Sequence, residues 1–94
     1  MRILGGAWTP NVLWYLREEP RRFSELKADL QGISAKTLSA RLRKLERDGV
    51  VHREVVPTSP PTVEYRLTAL GDRLIPAIEA IVDVGHELKR LRAR

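Results

Sequence analysis

Cysteine is missing from all 94 residues, and with it go disulfides, thiolate metal sites and thiol-based redox sensing. Histidine is scarce. His52 and His86 are the only two, far apart in sequence and without neighbours at ligand spacing, so no metal centre is expected. No apolar run approaches the ~18 residues a membrane-spanning helix needs, and no signal peptide is visible. The chain therefore reads as cytoplasmic, with no membrane partner. No nucleophile stands beside a partnered base, so it does not read as an enzyme and calls for no cofactor. Internal repeats and low-complexity tracts are also absent.

What the chain does carry is positive charge, unevenly placed. The net charge is +5. Residues 34–49 hold five basic against two acidic side chains, whereas residues 1–33 hold five against four, 50–67 two against two and 68–94 five against four. At this length a single domain over 1–94 is expected, with a core small enough that a dimer interface would help to complete it.

The basic segment has the grammar of a helix over about 34–48. Ser34 is placed to cap its first free amides and Gly49 to end it in the left-handed region. Leu38, Leu42 and Leu45 fall at i, i+4 and i+7, one apolar stripe. At 100° per residue, Lys36, Ala40, Arg43 and Arg47 then cluster around the opposite pole. A cationic row interrupted by a very small residue suits a helix lying in a DNA major groove, where phosphates flank it and the groove floor leaves little room.

The elements around it complete a pattern. Thr9-Pro10 reads as an N-cap followed by proline at the first helical position, opening a helix over about 9–19 that Pro20 stops. Val12, Leu13, Leu16 and one of Trp8 or Trp14 form its buried side. A second helix over about 22–30 buries Phe23, Leu26 and Leu30 and ends at Gly32, so the turn into the third helix is a few residues long. Residues 50–56 and 62–67 read as two strands around a stiff Pro57–Pro61 turn, a hairpin wing spanning 50–67. Thr68 caps a final helix over about 69–92 that Pro76 should bend. Leu74, Ile78, Ile81, Gly85 and Leu88 make one stripe along it, widened by Ile75 and Val82. Such a stripe is broad for a domain with little core to spare, and a partner helix is the expected cover. The fold class is mainly α with a two-stranded β wing: a winged helix-turn-helix plus a long dimerisation helix.

Six words in this order resemble the HxlR-type family of winged helix-turn-helix transcriptional regulators, relatives of the MarR type. They are Gly5-Gly6-Ala7-Trp8-Thr9, Arg22-Phe23-Ser24-Glu25-Leu26, the segment from Gly32 to Leu38, the segment from Leu42 to Gly49, the segment from Pro60 to Thr68, and Gly71-Asp72-Arg73-Leu74-Ile75-Pro76. The resemblance implies a DNA-binding homodimer joined through its N-terminal region, including Trp8, and its last helix. Two departures stand out: the arm cysteine usual in the family is absent, and the lysine usual before the tryptophan is Ala7. The family's thiol switch therefore does not carry over.

Lys36, Ser39, Ala40 and Arg43 are the expected base-edge readers, with Arg43 or Lys36 suited to guanine. Ser34 and Thr37 at the helix start complete the DNA-facing set, with Thr37 placed to contact phosphate or to support packing, while Lys44 and Arg47 are better placed for phosphate. Arg41, on the shoulder of the apolar stripe, is expected to pair with Glu25 or Glu64, with DNA contact as the alternative. Arg21 and Arg22 stand where the amides of the second helix could hold a phosphate. Arg53 and Arg66 are the arginines of the wing, whose tip is uncharged. The partners implied are double-stranded DNA on a pseudopalindromic operator and a second copy of the chain. An unidentified small-molecule effector between the wing-bearing domain and the dimer helices fits the same plan. The rival reading is a winged-helix protein-interaction module that dimerises without reading DNA.

Overall fold

A computed structural model describes residues 8–92. Helix α1 (Thr9–Leu16) leads into a two-residue strand β1 (Arg21–Arg22) and helix α2 (Phe23–Asp29). Helix α3 (Ala35–Arg47) follows, then strands β2 (Val51–Val56) and β3 (Thr62–Leu67) and the long helix α4 (Ala69–Arg92). The words at Gly5, Gly6 and Ala7 lie outside the described residues. One core joins the first three helices to the base of the sheet. Val12, Leu13, Leu26, Leu38, Leu42 and Val50 lie at its centre, and Ile78 enters it from α4.

Three boundaries differ from the sequence reading. The residue that precedes α1 as its cap is Trp8, at φ +77°, and Thr9 is already the first helical residue and buried. The helix then stops at Leu16, three residues before the expected end. Arg17 explains the early stop: its guanidinium donates to the Trp14 carbonyl at 2.7 Å and lies 3.7 Å above the Trp14 ring, so a terminal carbonyl is satisfied without another turn. Pro20 also disfavours helical backbone at Glu19.

The third difference is the sheet. The wing is not an isolated hairpin, because β1 pairs antiparallel with β3 and the strand order is β1-β3-β2. Arg22, expected inside α2, lies in β1 and caps α2 from outside, its N–H donating to Glu25 Oε1 at 2.8 Å. A third strand anchors the hairpin on its otherwise open β3 edge.

The junction between wing and last helix is made of close approaches. Gly49, at φ +77°, ends α3 as expected, and the Val50 N–H donates to the Leu45 carbonyl at 3.0 Å. Thr68 caps α4 by accepting from the Gly71 N–H at 3.2 Å, while its hydroxyl donates to the Gly49 carbonyl at 2.6 Å. A Cβ on Gly71 would collide with the Val50 carbonyl oxygen, so only glycine lets α4 start against the end of α3. Helix α4 runs on through Pro76 as one 24-residue element.

Candidate nucleic-acid interface

Helix α3 is fixed at both ends and along one side. Ser34 Oγ accepts from the Thr37 N–H at 3.0 Å and donates to Thr37 Oγ1 at 2.9 Å. The two hydroxyls expected in the DNA-facing set thus hold the start of the helix and one another. Leu38, Leu42 and Leu45 are buried, which sets the rotation of the helix about its axis. The opposite side is then settled by geometry, and Lys36, Ala40, Arg43 and Arg47 are all exposed there, with Ser39 half-buried beside them. The first turn contains no carboxylate, so the partial positive charge of the helix N-terminus adds to Lys36 rather than being neutralised.

The flanks of this row are unequal. At 100° per residue, Thr37, Lys44 and Arg41 lie on one side of it and Ser39 and Glu46 on the other. Lys44 is committed within the protein, its Nζ 3.1 Å from Asp48 Oδ2. Arg41 is the larger surprise. Among the described residues it pairs with neither Glu25 nor Glu64, and its enclosed Nε meets no acceptor. Glu25 is taken by β1, through the Arg22 N–H and Arg21, which is why the expected pair does not form.

The same carboxylate corrects the expected phosphate seat at the start of α2, where Glu25 already occupies the approach to the amides. Arg21 is drawn inward by three acids, Glu19 at 3.5 Å, Glu25 at 3.9 Å and Asp29 at 3.9 Å. Arg22 points away from that cluster and stays exposed, in register with Glu64 across the sheet. Nothing in the sequence distinguished these adjacent arginines; strand alternation does.

In the wing, Arg53 pairs in register with Tyr65 and Arg66 with His52. Neighbouring register pairs face opposite ways, so the two arginines lie on opposite faces of the sheet and do not form one patch. Both are exposed. At the tip the Thr58 hydroxyl donates to the Pro60 carbonyl at 2.8 Å, stiffening an uncharged turn.

The stripe expected to meet a second copy is divided by the structure. Ile78 is fully buried in its own subunit, and Leu74, Trp8, Ile75 and Val82 pack against the same core. The reason is rotation: the first half of α4 turns that face onto α1 and the sheet. What remains outward is Ile81 at 49% exposed, Val84 at 54%, Leu88 at 49% and Leu91 at 56%. Their spacings of 3, 4 and 3 make a coiled-coil-like seam. Val84 and Leu91 were missed because the sequence stripe was centred on Ile78. A Cβ on Gly85 would touch nothing within 4 Å among the described residues.

Comparison with known proteins agrees with this geometry. The family model for HxlR-like helix-turn-helix proteins matches residues 3–92. The HTH-type transcriptional regulator YdeP of Bacillus subtilis is 42% identical over 87 residues, covering 93% of this chain and 68% of the relative. A MarR-family transcriptional regulator of Porphyromonas gingivalis superposes with a TM-score of 0.88 at 37% identity, covering 93% of this chain and 85% of that one. The reduced form of the redox regulator HypR superposes with a TM-score of 0.89 at 33% identity, over 99% of this chain and 93% of that one.

Proposed function

Because the chain belongs to the HxlR-like helix-turn-helix family of transcriptional regulators, we propose that it acts as a homodimer on a pseudopalindromic operator in double-stranded DNA. The observation that carries this reading is the exposed row Lys36, Ala40, Arg43 and Arg47, turned outward by three buried leucines. In the complex α3 enters the major groove, with Ala40 at its floor and Arg43, Lys36 and Ser39 against base edges. Arg47 and Arg22 reach phosphate, as does Arg53 from the wing. Arg41 joins them, since a half-buried guanidinium that meets no acceptor among the described residues is satisfied by an anion from outside. Lys44 takes part by exchanging Asp48 for phosphate.

The second copy packs through Ile81, Val84, Leu88 and Leu91 of α4. Such a regulator works where the chromosome is, in the cytoplasm. HypR is a redox regulator by name, and these 94 residues contain no cysteine to share that role.

Selection of bound duplexes from a random pool with the purified protein tests the reading. Enrichment of an inverted repeat is expected, with log K falling by about 0.9 per phosphate neutralised as log salt rises. No retardation at low salt, or a flat salt response, removes DNA binding. The uncharged wing tip favours the second reading, a protein-interaction module, which predicts a dimer and no enriched sequence.

A further inference from the structure

Strand β1 ends after Arg22, where the chain leaves the sheet to start α2. Its pairing with β3 therefore stops at Glu64, and Val63 and Thr62 face Phe23 instead of a strand. Between them opens a cleft of about 280 Å³, lined by Arg22, Phe23, Ser24, Thr62 and Val63. It is smaller than the roughly 300–1,000 Å³ usual for a whole small-molecule ligand, with room for one part of a larger molecule. We propose that this cleft seats one deoxyribose of a DNA strand and rejects ribose there.

The side chains of its floor are apolar. Phe23 and Val63 are half-buried, so part of each stays open to the cleft. Thr62 Oγ1 lies 3.4 Å from Thr58 Oγ1, whose own proton goes to the Pro60 carbonyl at 2.8 Å. The Thr62 hydroxyl is thus engaged toward the wing tip. The rim is polar. Arg22 and Ser24 are exposed, and among the described residues the Arg22 guanidinium is in no ion pair. No carboxylate lines the cleft, because Glu25 is held by the Arg22 N–H and by Arg21.

A second arginine lies on the other side. Arg53 pairs with Tyr65 and Val55 with Val63, and these alternate pairs share one face of the sheet, so Arg53 is on the same face of the wing as Val63. An apolar floor between an arginine of β1 and an arginine of β2 matches a sugar–phosphate chain, in which each sugar separates two anions. The first helix of a helix-turn-helix crosses the DNA backbone while the second lies in the groove. The cleft opens where that first helix, α2, begins, beside the hairpin that follows α3. The proposal rests on the DNA reading above and deepens it. Ribose differs by its 2′-hydroxyl, the group by which a protein tells RNA from DNA at a given position. Pressed against Phe23 and Val63, that hydroxyl loses water and gains no side-chain partner. The cleft therefore reads the sugar, whatever its base.

The test walks a single ribonucleotide along both strands of the operator recovered by duplex selection, with affinity for the protein read by fluorescence anisotropy. At a position in each half-site the substitution should weaken binding at least about fivefold. Val63→Thr nearly keeps the side-chain shape and sets a hydroxyl on the floor. In that variant the penalty at the same position should fall below about twofold, with the all-DNA operator bound within about threefold of the parent. Far-ultraviolet circular dichroism confirms that the variant is folded. An operator that is bound but has no ribonucleotide-sensitive position overturns the seat and leaves the DNA reading standing. So does a penalty unaltered in the folded Val63→Thr protein. If no duplex is bound at all, the DNA reading fails and the seat falls with it.

Discussion

Arg43 and Arg47 stand about one helical turn apart on the exposed side of α3, and the proposed DNA complex gives them different tasks. Arg43 lies at mid-helix beside Ala40, where the approach to a groove floor is closest. Arg47 is in the last turn, where a groove-lying helix rises toward the backbone. Arg43→Ala is expected to lose about 1–3 kcal/mol of discrimination between operator and mismatched duplex. Arg47→Ala should weaken all duplexes about equally, and parallel titrations on the two DNAs separate these outcomes. Ala40→Glu adds bulk and negative charge at an exposed site, so it should abolish retardation while leaving the thermal melt unchanged. Arg41→Gln removes a cation whose enclosed Nε meets no acceptor among the described residues. It should lower the slope of log K against log salt by about 0.9, measured on nonspecific DNA so that base reading does not enter.

The junction between α3, the wing and α4 rests on one missing methyl group. Gly71→Ala places a Cβ against the Val50 carbonyl and the Leu67 side chain, and a cost of about 1–3 kcal/mol is expected, read from the denaturant midpoint. Ser34→Ala should cost about 1 kcal/mol through loss of the α3 cap. Both caps and the left-handed stop at Gly49 were legible in the sequence because each is a local device: one side chain, one or two neighbouring amides. The phase of α3 was legible too, since three leucines at helical spacing define a side unambiguously. Strand β1 was not. A two-residue strand has no period to read, and its existence depends on β3, more than forty residues away. With β1 unseen, Glu25 remained available on paper for Arg41, and Arg21 for phosphate. The wrong centre of the α4 stripe has a similar origin. A broad apolar helix presents two adjacent faces, and only the packed domain decides which is inside.

That division gives the whole molecule a clean contrast between two isoleucines three positions apart. Ile78→Asp buries a charge in the domain core and should prevent folding. Ile81→Asp should leave a folded monomer with a large loss of operator affinity, because two half-sites about 34–36 Å apart, or a multiple of that, are no longer bridged. Sedimentation velocity on both variants and the parent protein decides this. The molecule itself is elongated, 52 × 26 × 22 Å, since α4 extends past the domain that holds its first half. From Asp83 to Arg92 every residue except Gly85 is exposed. A segment of that size falls short of the ~12–15 residues at which a lone helix becomes even marginal in water. These turns continue a helix already nucleated in the core, and in the proposed dimer a second copy packs along them, so association should add to their helicity. Ellipticity at 222 nm should decrease as the protein is diluted through its dimer dissociation constant, and Ile81→Asp should show that lower value at every concentration. Dilution of the proposed dimer, then, should fray the end of a helix.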